Sequence, residues 1–208
     1  MRRCLAAIAL ALGLALGGCD FGAPAPPPLN SERIEQVFGS YGVEVLSSDE
    51  ELRISSLYST ADGIRTTRTL AIVAWPAVID ASLAEPHAAI AAGASIGATL
   101  EAAGWTVAKH NLFIGWIDSP DRLSRLMRIP QGSLLTIHGY ALAVTRGDDE
   151  RLYATIAELH HPEYLDLEMI EDIYGEASPE RVADAFALRI LVDEGLAKLA
   201  ALPSAGGE

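Results

Sequence analysis

Residues 93–97 read G-A-S-I-G and match the G-x-S-x-G pattern of a nucleophile elbow, in which a strained turn between a strand and a helix exposes the serine. The context argues against that chemistry at Ser95. Residues 87–92 are mostly alanine and predict a helix where the elbow requires a strand, and the elbow's sheet should be mostly parallel. The sequence therefore favours a small serine in a closely packed helix, with Ser95 as the one catalytic candidate.

Possible metal ligands are concentrated at His160, His161 and Glu163, with further carboxylates downstream. Zinc needs three or four ligands converging at about 2.0–2.3 Å, and catalytic motifs place two histidines one helical turn apart, a spacing that is absent here. Adjacent strand residues point to opposite faces, so His160 and His161 are poor co-ligands in an extended segment. We expect no bound metal, and these three residues are the candidates if one binds.

The remaining histidines, His87, His110 and His138, are isolated in the sequence and are predicted to be packed or surface residues.

The glycine stretch over 93–97 lacks the Lys-Ser or Lys-Thr that would follow the last glycine of a P-loop. It also lacks the G-x-G-x-x-G spacing of a dinucleotide site. No cofactor is therefore predicted.

The elements that would position these residues follow from periodicity and turn signals. Runs rich in β-branched and aromatic residues cover 43–46, 52–58 and 66–75, and short turns separate them. Connections this short favour antiparallel hairpins, because parallel strands need a long crossover. One long strand or two short ones follow over 105–117, and a second hairpin pairs 134–144 with 152–159.

Helices alternate with these strands. Ser82 has capping-box spacing to Glu85 and predicts one helix running to about Ala103, in which small residues allow close packing on a sheet. A first helix over 31–38 is expected to be capped by Ser31.

Two further helices end the chain, the last one capped by Ser178. The residues predicted to face inward in the first and the last two helices are Ile34, Val37, Phe38, Leu165, Met169, Ile173, Val182, Ala185, Leu188, Val192, Leu196 and Leu199. This order of elements predicts a single α+β domain over 30–202, an antiparallel sheet with helices packed against it, and a flexible tail over 203–208.

Composition limits the partners. The chain has 28 acidic and 15 basic residues and a formal charge of −13. Phosphate binding is driven by Lys and Arg that displace counterions, so this balance argues against nucleic acid. An apolar share of 50% excludes a disordered chain.

The N-terminal residues have the layout of an export signal. A basic start is followed by an apolar run over 5–16, too short to span a bilayer, and then by Leu16-Gly17-Gly18-Cys19. These four residues resemble the lipobox of bacterial lipoproteins. The resemblance implies cleavage by signal peptidase II before Cys19, a diacylglyceryl group on its sulfur and acylation of the new amino terminus.

The resulting division is a signal peptide over 1–18 and a lipidated, proline-rich tether over 19–29. Asp20 resembles the signal that retains lipoproteins of enteric bacteria in the inner membrane. Cleavage before Cys19 also removes Cys4 and leaves one thiol, so no intrachain disulfide is expected.

These observations predict a lipid-anchored cell-envelope protein on the periplasmic face of the inner membrane. Its domain would be a binding or accessory module rather than an enzyme, with the membrane, through lipid on Cys19, and another envelope protein as partners. The alternatives are an envelope serine hydrolase using Ser95 and a periplasmic small-molecule carrier. A carrier predicts a sizeable apolar cavity, whereas a scaffold predicts an exposed apolar patch.

Overall fold

The computed structural model describes residues 28–175, 177 and 182–203. The signal peptide, the lipobox and most of the tether lie outside these residues and stay predictions. So do the cap at Ser178 and nearly all of the tail.

One six-stranded sheet forms the centre of the domain, with every neighbouring pair antiparallel and the strand order β1-β2-β3-β6-β5-β4. Its strands are β1 Gly42–Ser48, β2 Leu52–Ala61, β3 Ile64–Ala74, β4 Thr106–Asp118, β5 Leu134–Arg146 and β6 Asp149–His160. Helices pack against this sheet in a single domain, which confirms the predicted α+β class. The predicted hairpins are β2–β3 and β5–β6, and the 105–117 run is the single strand β4 with a bulge between Asn111 and Phe113.

Six helices accompany the sheet in the described residues: α1 Asn30–Phe38, α2 Ala84–Ala91, α3 Ile96–Ala102, α4 Asp121–Met127, α5 Leu167–Tyr174 and α6 Val182–Ala201. Helices α4 and α6 cover one face, which we call the apolar face; its strands contribute aliphatic side chains such as Ile54, Ile72 and Leu159. The fit of α6 is close, because a Cβ on Gly139 would lie 2.6 Å from Leu188 Cδ1.

Helices α1, α2, α3 and α5 cover the opposite face, which we call the polar face. Successive strand residues alternate between the two faces. Ile54 and Ile72 therefore lie on the apolar face while Arg53, Ser55 and Val73 lie on the polar one. Two separate apolar clusters occupy the ends of the polar face. Buried polar side chains fill the space between them.

The helix predicted from Ser82 to Ala103 is wrong as a continuous element. The structure has a short 3-10 turn at Ala81–Leu83, then α2 and α3 with a break between them. Gly93 causes the break, because its φ of +117° lies in a region that side-chain-bearing residues rarely adopt. The predicted capping box also fails, since Asp80 accepts the hydrogen bond from the Ser82 N–H.

The predicted helix phases are right in part. Ile34, Leu188, Val192 and Leu199 are buried as expected. The exposed fraction of Val37 is 57% and that of Met169 is 48%, so both predictions are wrong. In α5 the helix begins at Leu167 behind an Asp166 cap, and this places Ile170 rather than Met169 inward. The N-cap of α1 is Leu29, not Ser31.

Candidate functional site

A cavity of about 80 Å³ lies on the polar face, between the strands and the N-terminal ends of α1 and α3. Its walls are mostly aliphatic. The polar side chains that line it are Ser31, Tyr41, Arg53, Ser55, Ser95, Lys109 and Tyr140. Two of these are cations, which gives a mostly apolar cavity a positive polar lining.

Arg53 is fully buried, with an exposed fraction of 1%. Its Nε donates to Ser55 Oγ at 2.8 Å, and its Nη1 donates to the carbonyl oxygens of Ile90 at 2.7 Å and Ala94 at 3.1 Å. Its Nη2 donates once, to Ala94 O at 3.2 Å. The break between α2 and α3 supplies both carbonyls, and that of Ile90 also accepts from the Gly93 N–H at 3.0 Å.

No carboxylate of the described residues lies within salt-bridge distance of Arg53. Burial lowers the pKa of the guanidinium, but arginine stays charged in proteins. Five N–H groups are available and four are used, so one Nη2 hydrogen has no partner among the described residues. The cavity therefore carries a positive charge that no acid of the described part of the chain pairs with.

Ser95 is the N-cap residue of α3 and lines this cavity. It follows α2 rather than a β-strand, so the strand-to-helix turn of a nucleophile elbow is absent. No imidazole of the described residues hydrogen-bonds to the Ser95 hydroxyl. Burial raises the pKa of Tyr41, which keeps the phenol neutral.

Lys109 lines the same cavity and pairs with a buried acid. Its Nζ lies 3.4 Å from Glu158 Oε2 and 4.3 Å from the centroid of the Tyr140 ring. Burial, the largest single influence, would raise the pKa of Glu158, but the charge of Lys109, the two neighbouring histidines and the Asn30 hydrogen bond together hold the pKa below its usual range. Glu158 also accepts from Asn30 Nδ2 at 3.2 Å.

Two buried histidines flank Glu158, and we call His138, Glu158 and His160 the His–Glu cluster. One ligand atom of each lies within 4.8 Å of the others. Burial lowers the pKa of His138 to about 3 and that of His160 to about 4, so both imidazoles are neutral near pH 7. The ring of Tyr174 stacks on His138 at a centroid distance of 4.4 Å.

The metal candidates His160, His161 and Glu163 are not brought together. His161 faces α4, where its Nε2 lies 3.0 Å from Met127 O and its Nδ1 accepts from the Glu163 N–H. The Glu163 side chain is 80% exposed. The opposite directions of His160 and His161 follow from strand alternation, as expected.

His138 and Glu158 were missed by sequence reasoning. Glu158 and His160 are two residues apart, a spacing that places both side chains on one strand face and was visible in the sequence. Their partner His138 lies opposite Glu158 on β5, and only the strand register reveals it. His87 and His110 are a packed and a surface residue, as expected: His87 hydrogen-bonds Tyr153 at 3.0 Å, and His110 is exposed beside Glu150.

No protein-family model and no curated protein matches this sequence. Solved structures with a similar fold include a GntR-family transcriptional regulator from Enterococcus faecalis, at 14% identity and a TM-score of 0.36, covering 61% of this chain and 93% of that one. PhnF from Mycobacterium smegmatis is 13% identical with a TM-score of 0.43, over 67% of this chain and 66% of that one. A GntR-family regulator from Bacillus cereus is 12% identical with a TM-score of 0.36, over 61% and 90%.

At these identities and TM-scores the likeness is one of fold, and what the neighbours do is stated of those proteins alone. Transcriptional regulators are nevertheless a different class from lipid-anchored envelope proteins, and this finding contradicts the predicted function. The same finding contradicts the predicted partners. These were the membrane through Cys19 and an envelope protein, and the prediction had excluded nucleic acid. So is the location on the inner membrane inferred from Asp20.

The prediction rested on residues 16–20, which lie outside the described residues. Among the described residues, no helix is both long and apolar enough to cross a bilayer.

Proposed function

We propose that this domain binds a small organic anion with an apolar body, held in the polar-face cavity against Arg53. The observation that carries the proposal is the buried guanidinium, which has one unused N–H and no carboxylate partner among the described residues. A buried cation without a counter-ion is costly, and an anionic ligand removes that cost.

The walls support an apolar ligand body. Val43, Leu57, Val73, Leu142 and Ile156 line the cavity, and burial of ligand carbon against them contributes roughly 25 cal/mol per Å² of apolar surface. The hydroxyls of Tyr41, Ser55 and Ser95 add donors and acceptors. Such apolar walls with a few convergent polar groups are typical of small-molecule sites.

Size limits the ligand class. Drug-sized ligands occupy pockets of about 300–1,000 Å³, and this cavity has about 80 Å³. The cavity therefore favours a short-chain carboxylic acid over a nucleotide or a sugar phosphate.

The test compares short-chain carboxylates with their own primary amides, which match them in shape but carry no charge. Isothermal titration calorimetry on the full-length chain should show saturable binding of at least one acid and binding of its amide at least about tenfold weaker, about 1.4 kcal/mol at 25 °C. Equal affinity for acid and amide, or heat from neither, would contradict the proposal.

A variant that fills the cavity supplies a second measurement. Ala71 lines the cavity, so Ala71→Leu should abolish binding while leaving the far-ultraviolet circular dichroism unchanged. Ala143→Leu, at another buried alanine of the sheet that does not line the cavity, is the matched control and should retain the affinity. Binding that survives in Ala71→Leu would place the ligand elsewhere.

A further inference from the structure

The geometry of the His–Glu cluster points to a site for a divalent transition-metal ion, which we propose is bound by His138 Nδ1, His160 Nε2 and a Glu158 carboxylate oxygen. Two imidazole nitrogens and one carboxylate oxygen form a donor set that suits Zn²⁺ or Fe²⁺ and leaves coordination positions open. The site is distinct from Arg53 and does not depend on the anion proposal.

Two unpartnered buried atoms carry this inference. The exposed fraction of His138 is 0% and that of His160 is 1%. His138 Nδ1 and His160 Nε2 have no hydrogen-bond partner in the described residues. Buried polar nitrogens without partners are rare, because an unpaired group loses its hydrogen bonds to water on burial. A metal ion between them would use both lone pairs.

The opposite nitrogen of each ring is held by an oxygen, as metal-bound histidines require. His138 Nε2 lies 2.9 Å from Asn111 Oδ1. The Asn111 Nδ2 group donates to the Tyr174 and Gly175 carbonyls, which fixes Oδ1 as an acceptor. His138 must therefore carry its proton on Nε2, and its Nδ1 presents a lone pair to the cluster.

His160 has an equivalent support. Its Nδ1 lies 3.0 Å from Thr69 Oγ1, which also accepts from Asn30 Nδ2 at 3.2 Å. A hydroxyl oxygen has two lone pairs and can accept from both groups. Asn30 also donates to Glu158, so one amide orients supports for two of the ligands. Burial lowers both histidine pKa values, so no proton has to leave before a metal binds.

The distances require a modest contraction. Glu158 Oε2 lies 3.9 Å from His160 Nε2, whereas ligand atoms about 2.0–2.1 Å from one tetrahedral ion are roughly 3.4 Å apart. The three ligand atoms lie within 4.8 Å of one another, so metal binding draws the side chains of all three residues inward. Lys109 must also leave Glu158, and its amine can turn into the adjoining cavity, which it already lines.

Nuclear magnetic resonance of the histidine rings tests the site directly in the untagged full-length chain. The chain has five histidines. Titration with Zn²⁺ should shift the ring nitrogens of His138 and His160, saturating at one equivalent, and leave those of His87, His110 and His161 in place. Zinc on cysteine does not affect this readout. No shift at either ring, or equal shifts at all five, would overturn the proposal.

Two variants separate metal binding from a purely structural cluster. Thr69→Val removes the support of His160 and should weaken zinc binding about 10–100-fold, the usual effect of losing an outer-shell hydrogen bond. Thr67→Val is the matched control, because Thr67 is also buried on β3 but bonds to Ser56. Unchanged affinity in Thr69→Val, or an equal loss in Thr67→Val, would contradict the site.

Lys109→Met is expected to strengthen zinc binding, so this test does not depend on a loss of affinity. Removing the cation frees the Glu158 carboxylate for the metal, so zinc should bind more tightly than in the wild type. A structural cluster without metal affinity predicts no zinc binding in either protein, and weaker binding in Lys109→Met would contradict the proposed ligand role of Glu158.

Discussion

The apolar and the polar face of the sheet are buried by different chemistry. On the apolar face, α6 packs closely enough that Gly139 leaves no room for a Cβ against Leu188. On the polar face, a charged pair, two neutral histidines and a buried arginine lie between two apolar clusters. Burial of charge is unfavourable without partners, whereas aliphatic contacts need none. The difference indicates that the apolar face provides stability, and it supports the proposal that the polar face binds a ligand.

Breaking the ion pair of the polar face should produce the largest loss. Glu158→Leu leaves Lys109, which is mostly buried, without its counter-ion. Removing one partner of a buried pair costs about 3–5 kcal/mol. Urea denaturation should show a midpoint lowered accordingly. A loss below about 1 kcal/mol would mean that Lys109 is hydrated and that the two faces differ less than their burial suggests.

Truncation on the apolar face should cost nearly as much, for another reason. Leu188 is 1% exposed in the centre of the apolar core, and Leu188→Ala leaves a cavity at a cost of about 2–5 kcal/mol. Chemical denaturation measures this free energy of unfolding. Leu152→Ala, at an exposed leucine, is the control and should change it little.

Removing both charges sharpens the comparison. The double variant Lys109→Met with Glu158→Leu replaces the pair by apolar side chains and should restore stability to the wild-type value or above, as such replacements often do. The double-mutant cycle should thus show strong coupling between the two positions. Stability that stays as low as in Glu158→Leu would show that the pair itself holds the polar face together.

The smallest expected effect concerns acid sensitivity at the end of the polar face. Burial lowers the pKa of His87, whose ring faces Tyr153 and Trp75. The unfolded chain then takes up this proton first, near pH 6.5, so the contribution of His87 is fully present above that pH and is lost as pH falls below it.

Thermal denaturation between pH 7.5 and 5 measures this effect. His87→Gln should show a shallower fall of the melting temperature than the wild type. His110→Gln, at an exposed ring, is the control. An unchanged slope in His87→Gln would remove His87 from the acid response.

Much of the fold could be predicted because local signals were strong. Alternating β-branched runs and short turns gave the hairpins and the antiparallel class. The prediction of a continuous helix over 82–103 was wrong because the alanine-rich sequence favours a helix throughout. Nothing in it indicates that Gly93 adopts the positive φ that breaks the helix. The break matters for the site, since the residues on either side of it supply the carbonyls that accept from Arg53. Arg53 had no sequence signal at all, because its place on the polar face depends on strand pairing.

The sequence alone determined the α+β class, the hairpins and the opposite directions of His160 and His161, since backbone periodicity and turn chemistry act over a few residues. Only the tertiary structure decided which polar side chains meet. The β5–β6 register places His138 beside Glu158, and helix α1 brings Asn30 to both Thr69 and Glu158. These contacts join residues far apart in the chain. The free energy that each contributes depends on burial, which no local sequence pattern encodes.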